Sequence, residues 1–308
     1  MRVVVALGGN ALLERSERPD AEIQERHVLR AVDALAPIAR DHELVVTHGN
    51  GPQVGLLAAE SEKDPDLEHP YPFDVLGAQT QGMIGYWLLQ ALQNALAGRG
   101  VAALLTQTLV DAGDPAFGDP QKFVGPLYDE ATATRLSAER GWTVRPDEKG
   151  FRRVVASPEP RGIVEIAQVD ALLAGGSVVV CAGGGGIPVV RQPDGRLAGV
   201  EAVIDKDLTA ALLAEHLRAD ALVILTDVPA VEIDHGTPHA RPIGRTSVAE
   251  LRARAFPPGS MGPKVDAVCR FVTATGGLAA IGRLDDAPRL LAGSAGTVIE
   301  PDRSTGHP

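Results

Sequence analysis

Apolar, β-branched runs that stop at glycine-rich turns recur along this chain, with stretches of helical spacing between them. Residues 2–7 form one such run, with three valines, and close on Gly8-Gly9-Asn10. Residues 43–47 repeat it and close on His48-Gly49-Asn50-Gly51-Pro52. Residues 177–182 do so a third time, ahead of Gly183-Gly184-Gly185-Gly186. A fourth glycine turn, Gly259-Ser260-Met261-Gly262-Pro263-Lys264, opens a helical stretch running to about residue 275, and Pro263 suits the first turn of a helix. A continuous apolar run bounded by glycine reads as a strand buried on both faces. Strands alternating with helices predict a three-layer α/β/α fold on a mainly parallel sheet. Turns at the carboxyl ends of neighbouring strands would line one crevice, and glycine lets backbone amides approach a ligand with no Cβ in the way. A tight turn with no ligand is the alternative for any one of them.

With 308 residues the chain has room for a large core in one unit or two lobes. A net charge of -11 argues against nucleic acid or an anionic membrane surface as partner. Any anionic ligand must then be held by local charges. No apolar run approaches membrane-spanning length, and residues 3–7 are too short and poorly flanked for a signal peptide, so a cytoplasmic address is expected. Cys181 and Cys269 are the only cysteines, far apart in sequence, which suits buried thiols in a reducing compartment and gives no zinc pattern.

Arginine dominates the 29 basic side chains, and only Lys63, Lys122, Lys149, Lys206 and Lys264 are lysines. Lys63 and Lys149 lie in charged, loop-like surroundings and read as surface. The other three sit among Gly, Pro or Asp. An ammonium on a flexible stem is a point charge able to follow a moving phosphoryl group, which arginine's planar fork does less well. Lys206 falls inside Asp205-Lys206-Asp207, where a strand-like entry gives way to helical spacing with Leu208, Ala211, Leu212 and Leu217 on one face. A helix start favours anions. The two aspartates would repel phosphate, so their expected work is to hold lysines or a metal. A plain helix cap for Asp205 and a solvated Lys206 are the alternatives.

The remaining stretches add a long helix over residues 74–97 and a strand over 101–106. Its glycines (Gly77, Gly82, Gly85) call for close approach by the sheet or by a second subunit. Over residues 111–126 the Pro and Gly punctuation argues against any regular element. Residues 135–156 supply a short helix and two strands, 142–144 and 151–156, so 114–160 is expected to be a small protruding lid carrying Lys122. A helix over 163–173 and a hairpin over 189–197 lead into the Asp-Lys-Asp triplet. Beyond it come a strand at 221–225 ending in Thr226-Asp227-Val228, a capping box at Ser247 and Glu250, and strands at 278–282 and 297–300 flanking a short helix at 286–291.

Glycine turns with isolated lysines make a cradle for phosphate oxygens, the layout of phosphoryl transfer, where catalysis is alignment and charge stabilisation. Neither the P-loop string nor the protein-kinase signatures occur, and Pro188 stands where a dinucleotide fingerprint starting at Gly183 needs glycine.

Five segments, Gly8-Gly9-Asn10-Ala11-Leu12, residues 47–55 from Thr47 to Gly55, Asp114-Pro115-Ala116-Phe117, Val203-Ile204-Asp205-Lys206-Asp207-Leu208 and Gly259-Ser260-Met261-Gly262-Pro263-Lys264, resemble the motifs of the carbamate kinases, a branch of the amino-acid-kinase superfamily. The likeness runs almost end to end. Other superfamily kinases usually carry a lysine where this chain has Ala6, and carbamate kinases similarly lack it. The resemblance implies reversible transfer between ATP with carbamate and ADP with carbamoyl phosphate, assisted by Mg²⁺, in a homodimer. It further implies an acceptor lobe over 1–202 that contains the lid and a nucleotide lobe over 203–308. By similarity Lys206 and Lys264 neutralise phosphates, Asp207 orients them, and Lys122 reaches carbamoyl phosphate from the lid. Gly8, Gly9, Asn10, Gly49, Asn50 and Gly51 then serve the small substrate. Asp205, Lys206, Thr226, Asp227, Val228, Met261, Gly262 and Lys264 serve the nucleotide. Glu232 stands near where that family often has an aromatic residue. A superfamily kinase of another small carboxylate or phosphate, or a non-catalytic nucleotide sensor, are the alternatives.

Overall fold

The computed structural model describes residues 1–14, 17–147, 149–257 and 259–302. Its central sheet has eight strands: β1 (Arg2–Leu7), β2 (Glu43–His48), β3 (Val101–Ala103), β4 (Val178–Val180), β5 (Ala221–Thr226), β6 (Arg245–Ser247), β7 (Leu278–Arg283) and β8 (Thr297–Glu300). Their spatial order is β6-β8-β7-β5-β1-β2-β4-β3. Every pairing in it is parallel except β7 with β8. Strand β1 lies in the middle, with Val3 opposite Ala221 on one side and Leu44 on the other.

The two faces of β1 explain why its sequence is apolar without alternation. Val3, Val5 and Leu7 pack into one buried cluster with Val28 and Leu35 of helix α1 (Ala21–Asp41) and Ile84 and Leu88 of α3 (Phe73–Ala95). Val4 and Ala6 face the opposite cluster, which holds Ala210 and Leu213 of α4 (Lys206–His216) and Val268 and Phe271 of α5 (Met261–Thr275). Each buried Val or Leu side chain contributes about 1.5–3 kcal/mol relative to exposure. A one-residue slip of β1 would exchange the two sets. The expected three-layer fold is therefore present. Helix α4 is buried beyond a single stripe: Ala210, Leu213 and Ala214 are covered, while Leu208 and Leu212 are only partly so.

Departures from the sequence reading have local causes. Helix α2 (Gly51–Lys63) begins directly inside the second glycine turn, with Pro52 in its first turn, so Lys63 ends a helix instead of lying in a loop. The strand expected over 101–106 stops at Ala103 because the Thr106 amide donates to Gln81 Oε1 of α3 at 2.8 Å. The chain then enters a separate four-stranded sheet through Gln107–Val110, beside Ile187–Arg191, whose hairpin partner Leu197–Gly199 fulfils the expected turn. Within 111–126, where no regular element was expected, Lys122–Tyr128 is a strand. Gly125 and Pro126 fall where its pairing with Gly150–Val155 shifts register, so a bulge absorbs the residues that argued against a strand. Val144–Asp147 completes this antiparallel three-stranded sheet. A helix, Glu130–Arg140, starts earlier than expected because Asp129 caps it by accepting from the Thr132 amide, and Gly141 closes it in a left-handed conformation. Tyr128 ties the small sheet to α2 by donating to Glu62 at 2.7 Å. Among the described residues no helix is long and apolar enough to cross a membrane.

Candidate active site

Helix α4 starts where the chain leaves the second sheet, and its first residues build the centre of the site. Asp205 is the N-cap: its Oδ1 accepts from the amides of Asp207 at 2.9 Å and Leu208 at 3.3 Å. Its other oxygen, Oδ2, receives the Lys122 ammonium at 3.4 Å from the small sheet. The capping role and a role in the site are thus compatible. Asp207, only 3% exposed, accepts from two lysines at once. Lys206 Nζ lies 2.5 Å from Oδ1, and Lys264 Nζ, from the first turn of α5, lies 2.9 Å from Oδ2. All three lysines singled out by their scarcity therefore converge here. Lys63, at the end of α2, is outside the site.

The charges are not balanced. Burial by itself would push the Asp207 carboxyl up, but the two ammoniums outweigh it and hold its pKa at about 2. Burial pulls Lys206 below its ordinary value; Asp207 opposes that shift and the nearby Lys264 adds to it. Three ammoniums and two carboxylates leave one positive charge in excess. An incoming anion would restore Lys206 and neutralise that excess.

Backbone approaches this cluster closely. A Cβ at Gly49 would lie 2.9 Å from the Gly9 nitrogen and 3.3 Å from the Lys206 stem, so only glycine lets the first two turns stack against that lysine. At Gly184, with φ +66°, a side chain would run into Asn50, whose Nδ2 donates to Thr80 Oγ1 at 2.8 Å. Thr209 of α4 anchors the same glycine turn by donating to the Gly185 carbonyl at 3.0 Å. His48 is buried, with Nδ1 3.0 Å from the Gly49 carbonyl, and burial pulls its pKa down to about 4. A neutral histidine facing a carbonyl positions the turn and offers the crevice no base.

Two cavities meet at Lys264. One, of about 420 Å³, is lined by Gly49, Asn50, Gly51, Lys122, Asp205 and Lys206, among others. The second, of about 470 Å³, takes in Gly8, Thr226, Asp227, Val228 and Met261. Gly9, Gly259, Ser260 and Lys264 line both. Gly262 lines neither. A side chain there would meet the Pro257 carbonyl at 3.0 Å, so it serves the packing of the loop. The Asn10 side chain lies outside the described residues, although its backbone forms a 3-10 turn with Gly9 and Ala11. The sequence reading missed Arg152, which lines the first cavity and pairs with Asp147 at 2.8 Å, and Phe256 and His235 in the second. Nothing in the local sequence of Arg152 or His235 marks them. Phe256, directly before a proline and close to the fourth glycine turn, was the most accessible of the three.

Residues 1–281 match the model of the amino acid kinase family. The chain is 52% identical over 302 residues to a carbamate kinase of Rhizobium meliloti, covering 97% of this chain and 93% of that one. It is 51% identical over 297 residues to the carbamate kinase of Escherichia coli (strain K12), with 96% and 98% covered. The carbamate kinase of Giardia lamblia bound to AMP-PNP superposes with a TM-score of 0.92 at 39% identity, covering 98% of each chain. An isopentenyl phosphate kinase of T. acidophilum, at 15% identity and a TM-score of 0.55, shares the fold alone. With the lysine cluster set between two cavities on a parallel sheet, and with identities near one half along almost the whole length, the chain belongs to the amino acid kinase family and, within it, to the carbamate kinases.

Proposed function

We propose that this chain transfers a phosphoryl group reversibly between ATP with carbamate and ADP with carbamoyl phosphate. The observation that carries this reading is the Lys206-Asp207-Lys264 cluster, charged in excess and set where the two cavities join. The nucleotide lies in the cavity of Thr226 and Met261, and carbamate in that of Gly49, Asn50 and Lys122. The travelling group crosses at Lys264. Lys206 and Lys264 meet its developing negative charge, and Asp207 holds both ammoniums in place, so little reorganisation accompanies the step. Carbamate is already an anion and needs no base, which agrees with a neutral, buried His48. Lys122 binds carbamoyl phosphate from the small sheet, acting as a lid.

Mg²⁺ enters as part of the nucleotide substrate. Among the described residues no group of three or more His, Cys, Asp or Glu could hold a metal, and the carboxylate oxygens of Asp205 and Asp207 are engaged by lysines and amides. Those residues fit a Mg²⁺ held chiefly by phosphate oxygens and water. We also keep residues 1–202 as the acceptor lobe and 203–308 as the nucleotide lobe. A homodimer through the exposed face of α3 is part of the same reading. Gly85 approaches Ala103 of the sheet, but nothing lies within 4 Å of a Cβ at Gly82, and Tyr86 is 55% exposed beside it. A cytoplasmic location agrees with two buried free thiols.

The deciding experiment is ATP formation from ADP and carbamoyl phosphate, followed through a coupled enzyme with acetyl phosphate as control donor. ATP from carbamoyl phosphate is expected. No ATP at millimolar substrate would reject the activity, and retained ADP binding without turnover would leave a nucleotide sensor.

A further inference from the structure

The nucleotide cavity has a polar feature that phosphoryl transfer does not use. Its lining includes Glu232, on the short strand Glu232–Ile233 that pairs with Arg241–Pro242. The Glu232 Oε2 lies 2.7 Å from His235 Nδ1, and His235 lines the same cavity. Phosphates belong where the two cavities join, because Gly9, Gly259, Ser260 and Lys264 are common to both. The nucleoside half must then extend toward Ala230, Glu232 and Phe256, which line only the nucleotide cavity. A carboxylate there repels a polyphosphate placed backwards and accepts hydrogen bonds only, so it selects a ligand that presents donors. The Glu232 side chain is 27% exposed against 63% for His235, so the histidine forms the outer brace and the carboxylate the inner contact.

We infer that Glu232, held by His235, sets nucleotide specificity by accepting a hydrogen bond from the nucleoside, either a ribose hydroxyl or the exocyclic amine of the base. This rests on the second cavity being the nucleotide site and is independent of the acceptor. A site built to accept from a donor discriminates against analogues lacking it, because its own polar group is then left unpaired.

Calorimetric titration of the full chain with ADP, 2′-deoxy-ADP, 3′-deoxy-ADP and IDP, without any acceptor, tests the inference separately from the phosphoryl-transfer activity. Glu232→Ala should weaken ADP binding about tenfold. One analogue, the one missing the donor that Glu232 meets, should lose no affinity on the substitution: a deoxy form identifies the ribose, IDP the base amine. Glu232→Gln keeps the shape and one acceptor and should recover part of the affinity. His235→Ala should cost about threefold in the parent and nothing further in the Glu232→Ala background, as expected of a residue acting through another. Unchanged ADP affinity in Glu232→Ala, or an equal loss for all four nucleotides, overturns the inference. If ADP binds as described but carbamoyl phosphate yields no ATP, the acceptor assignment fails and this one stands.

Discussion

Lys206 and Lys264 differ from Lys122 in how the protein holds them. The first two are 14% and 15% exposed, share one buried carboxylate, and stand on the first turns of two helices packed in the same core. Lys122 is 37% exposed, reaches Asp205 over a longer 3.4 Å, and comes from a small sheet outside that core. On the proposed function, the difference separates two tasks. A group that meets charge in the transition state must already be in place, whereas a group that admits and covers a substrate must be able to leave. The buried pair is held against a cost, since burial weakens Lys206 as a cation. Lys122 is held by little more than a surface pair of the kind worth about 0–1 kcal/mol.

The comparison is tested most severely at Asp207. Asp207→Ala leaves two ammoniums facing each other in a buried space and should cost about 3–5 kcal/mol of stability together with activity. Urea unfolding beside the turnover assay measures both, and an unchanged midpoint would show that the lysines are not held by this carboxylate. Lys206→Ala should lower kcat about 10²–10³-fold. Lys122→Ala should cost about 10–100-fold in kcat/KM, with the unfolding midpoint unmoved. Equal losses of kcat in the two variants would erase the distinction drawn between them.

The pH dependence sharpens it further. If Lys206 meets phosphate as proposed it must be protonated, and burial lowers its pKa, so activity should fall with rising pH before an ordinary lysine would titrate. Lys122→Ala should retain that basic limb in the pH-rate profile, and Lys206→Arg should move it upward. A limb that vanished in Lys122→Ala would instead make Lys122 the titrating group. The smallest effect is expected at Lys63, on the last turn of α2 and away from both cavities, where Lys63→Ala should leave turnover within about twofold and stability within about 0.5 kcal/mol.

Helix α2 and strand Lys122–Tyr128 show where reading the sequence reached its limit. Pro52 reads as the end of a turn, yet proline in a first helical turn fits as well, because the amide it lacks would be unpaired there anyway. Gly125-Pro126 reads as a break, yet a bulge accommodates both in a strand whose pairing partners lie 23 to 33 residues away. Glycine and proline state which backbone angles are allowed. They do not state what pairs with the neighbouring residues. Arg152, Phe256 and His235 escaped for the related reason that their distance from the site is set by packing alone.

The chain's own letters determined whatever depends on a few consecutive residues: apolar runs that must be covered on both faces, glycine turns where a Cβ would collide, the Ser247–Glu250 capping box, and the helix starts that carry Lys206 and Lys264. The scarcity of lysine even marked the three cations that converge on Asp205 and Asp207. Tertiary structure alone decided the distances at which Asp207 meets Lys206 and Lys264, that Lys122 takes Asp205, and that Glu232 faces a cavity. Covering both faces of the central sheet brings helix starts from distant parts of the chain to one edge. Which side chains then meet depends on angstrom-scale packing, which no local pattern encodes.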